Sequence, residues 1–358
     1  MWQKLCDLGS TSEQPPLSSS LADRALLLDL DVVLWPTAQS MPASQCALLL
    51  VALTAPYAAA TVIGAAFLPH GDFTFDPSLV RFANGSRALH DGAVAVGARF
   101  AAARPDVIFV STPHGESADV PFLFLDATAA HAQATIGTDL ARDCAKGCYE
   151  ATLPVPDLRV AENATRAAVA RLRAAGFRVA ALSSFADTEP APLRWGELIP
   201  LSFLNATLAA SSVVVMGQPT RRFTDEVPMV AEELALGAAL FDFFEALDAR
   251  VLVVVSGDLA HTHLATGPYG YSPAAAPFDA ALGRWAATLD AAPLLDDATA
   301  LADAAKSCGY TGAVMLHGFL NASARPFAPR LVAGPSAPTY YGMLVAEFLP
   351  PPRGPASE

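Results

Sequence analysis

The sequence is poor in charge and poorer still in positive charge. Charged side chains make up 16% of 358 residues, and 22 Lys and Arg stand against 35 Asp and Glu, a net charge of −13. A phosphate backbone needs a basic surface, and no cluster of Lys and Arg with interleaved aromatics occurs, so the composition argues against nucleic acid as a partner. Cysteine is scarce: Cys6, Cys46, Cys144, Cys148 and Cys308. Cys144 and Cys148 lie close together in "DCAKGCYE" and can pair in an oxidising compartment, but no second closely spaced pair completes a four-cysteine zinc site. What the chain has in quantity is apolar residues, 53%, too many for a disordered protein and enough for a large core.

Between Asp31 and His70 there is no Asp, Glu, Lys or Arg at all. Residues 1–60 read as a poorly ordered extension, polar and Pro/Ser-rich in "SEQPPLSSS". Within it, residues 41–60 resemble a signal peptide read from Met41: a short polar start, an apolar run from Ala47 to Leu53, and small residues at 58–60. The usual positive start is missing. Read from Met1, the same stretch becomes an anchor interrupted by Pro56, and it is the chain's one expected membrane contact. The location expected is therefore cytoplasmic, or secreted or endomembrane-lumenal if the stretch from Met41 acts as a signal. The sequons at Asn84, Asn163, Asn205 and Asn321 lend the second option weak support.

After residue 60 strand and helix signals alternate. "TVIGAAFL", "DVIFVST", "RVAAL", "SSVVVMG", "VLVVVSGD" and "YYGMLVAEFL" read as strands. Leu89, Ala93, Val96 and Phe100 fall at helical spacing, "NATRAAVARLRAAGF" is a helix closed near Gly176, and "PMVAEELALGAALFDFFEALDAR" is a long helix. Further helices are expected around 278–289, 297–306 and 312–320. Near-continuous apolar strands between helices predict an α/β fold, a single domain over 61–350 whose central, largely buried β-sheet carries helices on both faces; 351–358 is a tail.

In such folds polar residues just past the strand ends build the site. The strand ending at Leu68 runs into His70 and Asp72, the one ending near Thr112 into His114 and Glu116, and the one ending near Val255 into Ser256, Asp258, His261 and His263. Four of the chain's seven histidines fall at these ends. Neutral imidazole binds Fe(II) or Zn(II) through one nitrogen while an acceptor holds the other. Asp72 and Asp258 can serve as such acceptors or simply form turns. His263 reads as an exposed loop residue.

These residues resemble a known family. "SGDLAHTHLATGPYGYSPAAAPFDAAL", "FLPHGD", "VSTPHG", "ELIPLSFL" and "YYGMLVAEF" are similar, in order over about residues 61–348, to segments of the class III extradiol ring-cleavage dioxygenases; the Memo family shares that scaffold. The resemblance implies a non-haem Fe(II) enzyme that opens a catecholic or related phenolic small molecule with O2. It makes His70 and His114 metal ligands and His261 the active-site acid/base. Two positions depart from the family. Ser307 stands where the third ligand is usually Glu; Cys308, next to it, can substitute as thiolate, as the Memo family's Ile-Cys-Gly pattern suggests, which shifts preference toward Zn or Cu, or it is a buried structural cysteine. Trp195 stands where a substrate-handling His precedes a "VPLxFL" strand; it can stack on an aromatic ring, and Glu197 is near enough in sequence to compensate or is merely a strand-entry residue. The alternatives to a dioxygenase are therefore a Memo-like metal-binding redox or scaffold protein without ring cleavage, and a Zn-dependent hydrolase on the same scaffold. A homo-oligomer is compatible with any of these.

Overall fold

The computed structural model describes residues 61–76, 86–116, 120–132, 135–136, 151–153, 155–183, 190–218 and 229–350. The extension at 1–60 with its signal or anchor stretch, Asn84, Cys6, Cys46, Cys144, Cys148 and the tail at 351–358 lie outside them. Among the described residues no helix is long and apolar enough to cross a membrane.

The protein is an α/β fold around an eight-stranded mixed sheet. Its strands are β1 (Val62–Leu68), β2 (Val107–Thr112), β3 (Phe122–Leu125), β4 (Val179–Leu182), β5 (Ser212–Gly217), β6 (Val251–Ser256), β7 (Ala328–Ser336) and β8 (Met343–Leu349). Their order across the sheet is β7-β8-β1-β6-β2-β5-β3-β4. The four central strands β1, β6, β2 and β5 are parallel to one another. β8 joins β1 antiparallel, and β3 joins β5 antiparallel.

Both faces of the sheet are covered, which is why its central strands read as unbroken apolar runs. Val107 and Phe109, Val214 and Met216, and Val251, Val253 and Val255 face one core; Ile108 and Val110, Val213 and Val215, and Leu252 and Val254 face the other. On the first face lie α2 (Glu162–Ala174), α4 (Met229–Glu245), α5 (Ala275–Thr288) and α7 (Tyr310–Asn321). On the second lie α1 (Ser86–Ala103) and α3 (Trp195–Ser202). A short helix α6 (Thr299–Ala305) precedes α7. The stripe on α1 is Leu89, Ala93, Val96 and Phe100, all within 1% of full burial. Each such side chain withdrawn from water contributes about 1.5–3 kcal/mol before conformational entropy is subtracted.

Three elements differ from the sequence reading. "WGELIPLS" is helix α3, not a strand. Glu197 Oε2 caps the start of the helix by accepting a hydrogen bond from Arg194 N at 2.9 Å. β3 and β7 are unrecognised in the sequence; among the described residues β7 lies on the sheet edge, paired with β8 alone.

Register fixes the site. Leu68 pairs with Ser256, Val255 with Ser111, and Gly217 with Thr112, so the carboxyl ends of β1, β6, β2 and β5 finish side by side. The chain segments leaving them, with His70, Ser256, Asp258 and His114, are thereby delivered to one edge.

Candidate metal centre

At that edge three donor atoms meet. His70 Nε2 lies 3.1 Å from His114 Nε2 and 3.3 Å from Cys308 Sγ. Donors held about 2.0–2.3 Å from one ion at tetrahedral angles stand about 3.3–3.6 Å apart. The two spacings lie at and just below that range, so a small outward shift of the rings would seat an ion between them. Asp258 Oδ2 lies 3.4 Å from His70 Nε2, and Asp258, His261 and Cys308 form a second cluster of donor atoms that shares the sulfur. Asp258, read from the sequence as a supporting group or a turn residue, therefore borders the donor cluster itself.

Which nitrogen of His70 faces the site follows from its neighbours. His70 Nδ1 is 2.9 Å from Ser256 Oγ. The Ser256 hydroxyl donates its one proton to Gly196 O, which can only accept. Ser256 Oγ must then accept from His70 Nδ1–H, so the lone pair is on Nε2, pointing at Cys308 and His114. This is the tautomer a metal needs. Gly196 O is available because of Pro200: residue 200 would normally donate its N–H to the carbonyl four positions back, and proline has none. Gly196 is itself required there. A Cβ on it would stand 2.7 Å from Thr112 Oγ1 and 3.0 Å from His114 Cβ, so only glycine lets α3 approach the His114 turn this closely.

The other donors are held as firmly. Asp258 Oδ1 accepts from His70 N at 3.1 Å, and Asp258 N donates to Cys308 Sγ at 3.3 Å. Ser307, at the usual carboxylate position, spends its hydroxyl on the backbone, donating to Asp258 O at 3.0 Å and accepting from Gly309 N at 3.2 Å. It stitches the Cys308 turn to the Asp258 turn and turns away from the donors.

Burial keeps the whole set neutral when no cation is present. It holds His70 well below the usual histidine range, with the neighbouring His114 and His261 adding to the effect, and takes His114 down to about 4, aided by Arg194. It raises Asp258 to about 8 and pushes the Cys308 thiol up. A bound cation would replace water as the partner of thiolate and carboxylate, so the set fits a metal ion. A thiolate with imidazoles is a soft to intermediate set, compatible with Fe(II), Zn or Cu.

The remaining predicted residues surround the cluster. Trp195 stacks on His114, ring centroids 5.1 Å apart and planes 35° apart, and is 39% exposed. His261 donates from Nδ1 to Leu259 O at 2.9 Å, leaving its Nε2 lone pair on the other side of the ring. Tyr269, Tyr340 and Tyr341 stand 5.8, 5.9 and 5.8 Å from the His261 ring. Glu197, raised to about 7 by burial, caps α3 instead of standing in for the absent His. His263 is not an exposed loop residue: it is mostly buried, 2.8 Å from Asp279 Oδ2. The tyrosines were not singled out from sequence, although Tyr340 and Tyr341 open the segment quoted for the last strand.

The family described as catalytic LigB subunit of aromatic ring-opening dioxygenase matches residues 64–326, more than half of the chain. No curated protein matches. Among solved structures, an uncharacterized protein, JW3007 from Escherichia coli K12, is similar over 80% of this chain and 99% of its own, with 14% identity and a TM-score of 0.49.

Proposed function

The chain belongs to the family of catalytic LigB subunits of aromatic ring-opening dioxygenases, and from that premise we propose that it is a metal-dependent, extradiol-type dioxygenase that opens a catecholic or related phenolic ring with O2. His70, His114 and Cys308 hold the metal, Fe(II) in the working protein. The observation that carries the reading is the convergence of the His70 Nε2 lone pair on His114 Nε2 and Cys308 Sγ at 3.1 and 3.3 Å. When bound, the ion supplies a Lewis-acid centre with open positions for the reactants.

The chain's own residues do the rest. His261, with Nδ1–H tied to Leu259 O, has an Nε2 lone pair that takes a proton from a substrate hydroxyl and returns it later. The exposed face of Trp195 offers a stacking surface for a flat ring beside His114. Tyr340 and Tyr341 stand against the His261 ring, and the exposed Tyr269 lies at its outer side. Asp258 N–H, donating to Cys308 Sγ, supports the thiolate.

One observation favours a second reading. Ser307 stands where the family usually has a carboxylate ligand, with the thiol of Cys308 beside it as the donor, and Trp195 stands where the family usually has a histidine. That combination suits a Memo-like protein that binds copper or zinc without cleaving rings. Metal analysis of anaerobically purified protein, followed by oxygen uptake with a panel of catechols, separates the two. Iron, with uptake abolished in His114→Ala and His261→Ala, is the result expected. Copper or zinc with no uptake from any catechol refutes the dioxygenase and leaves the second reading.

A further inference from the structure

His261 stands on a long connection with little regular structure, residues 257–274, between β6 and α5. An acid/base must be held to within a fraction of an ångström, and a loop does not do that unaided. Backbone bonds fix this one from two sides. His261 N donates to Ala305 O at 2.8 Å; Gly342 N donates to Ala260 O at 2.8 Å, and Leu259 N to Gly342 O at 2.7 Å. The N–H of Ala260 is met by a side chain: Asp279 Oδ1 accepts it at 2.9 Å. Asp279, on the inner face of α5, is only 5% exposed, and its Oδ2 lies 2.8 Å from His263 Nε2. The carboxylate thus grips the loop one residue before His261 and two residues after it. Nothing larger than glycine can stand opposite, since a Cβ on Gly342 would be 1.8 Å from Asp279 Oδ2.

We propose that Asp279, seated by His263 against the bare backbone of Gly342, is the positioning residue for His261. The proposal rests on the reading of His261 as the acid/base. The His261 ring hangs from the same clamp, because Nδ1–H donates to Leu259 O and Leu259 N is bonded to Gly342. Displacing Asp279 therefore turns the ring and releases its tautomer together. The clamp also sets the aromatic wall, since His263 N donates to Tyr340 O at 3.1 Å. Asp279, within the quoted "PFDAAL", thus becomes part of the machinery behind the site.

The test compares Asp279→Asn, Asp279→Glu and Asp279→Ala in the full-length, metal-loaded protein with 15N-labelled histidine. Asn keeps an acceptor for Ala260 N and can donate to a deprotonated His263 Nε2. Glu keeps the charge but carries the carboxylate one methylene further. Expected for Asn is the His261 signature of an Nδ1–H, Nε2-lone-pair ring and kcat within about threefold of wild type. Expected for Glu and Ala is loss of that signature and a fall in kcat of about tenfold or more, with KM and metal content unchanged. Gly342→Ala should behave like Asp279→Ala. An unaltered His261 signature in Asp279→Glu, or a Glu variant better than the Asn variant, overturns the proposal. If wild type turns over no catechol, the histidine signature still decides the positioning role, and the ring-opening reading fails alone.

Discussion

His70 and His114 leave their strands through the same Pro-His-Gly sequence, yet the fold gives them opposite surroundings. His70 is 3% exposed and is held at its backbone N by Asp258 and at Nδ1 by Ser256. His114 is only half-buried; its backbone N is bonded to Thr112 Oγ1 at 3.2 Å and its ring is covered by Trp195. One motif therefore supplies an anchored donor and an adjustable one. The anchored side faces Cys308 and Asp258; the adjustable side carries the exposed Trp195.

The largest way to test that contrast is to remove each imidazole. His70→Ala and His114→Ala are both expected to reduce bound metal to background in elemental analysis. Only His70→Ala should also destabilise the metal-free protein, by about 1–3 kcal/mol in denaturant titration, because it strands the buried Ser256 and Asp258 partners. Equal stability of the two variants would erase the distinction between anchored and adjustable. Next come the supports. Ser256→Ala should weaken metal binding by about 10–100-fold in chelator competition, the usual cost of losing a ligand's outer hydrogen bond. Trp195→Ala should leave metal affinity nearly unchanged and raise KM for an aromatic substrate by about fivefold, the worth of one stacking contact.

The smallest effect expected is one of pH. The folded pKa values of His70 and His114 lie below the unfolded value, so the stability they contribute is complete above about pH 6.5 and is lost as pH falls toward about 4 for His114. Asp258 has its folded pKa raised to about 8, so its contribution has the other sign: stability is lost as pH rises from the unfolded carboxylate range toward 8. The metal-free protein is squeezed from both sides. Metal binding prefers neutral imidazole, carboxylate and thiolate, so the gap in melting temperature between loaded and metal-free protein should widen from about pH 5.5 to about 8.5. A constant gap would mean that Asp258 and Cys308 take no part.

Much of this was legible in the residues alone. Central strands buried on both faces read as continuous apolar runs, and a register that aligns their ends collects whatever follows them. His70 and His114 could be nominated because each follows such a strand end; Cys308, between α6 and α7, was reachable only through the family resemblance. β7 could not, because Pro329 and Pro335 argue against a strand; the edge tolerates them, since one side of an edge strand needs no ladder donors. α3 was mistaken for a strand because "LIPL" is apolar and contains proline, while its cap depends on Arg194 and Glu197 meeting in space. The His263–Asp279 pair joins a loop to a helix and follows no period. Asp258 reads from sequence as a supporting acceptor or a turn residue, and only its burial places its carboxylate beside the donors.

Pro200 touches none of the donor atoms. It nonetheless decides which carbonyl Ser256 can hold, and through Ser256 which nitrogen of His70 looks at the ion. When variants of this protein are sorted by phenotype, substitutions at position 200 belong with those of the metal ligands, although the residue has no chemistry of its own. A screen restricted to reactive side chains would pass over it.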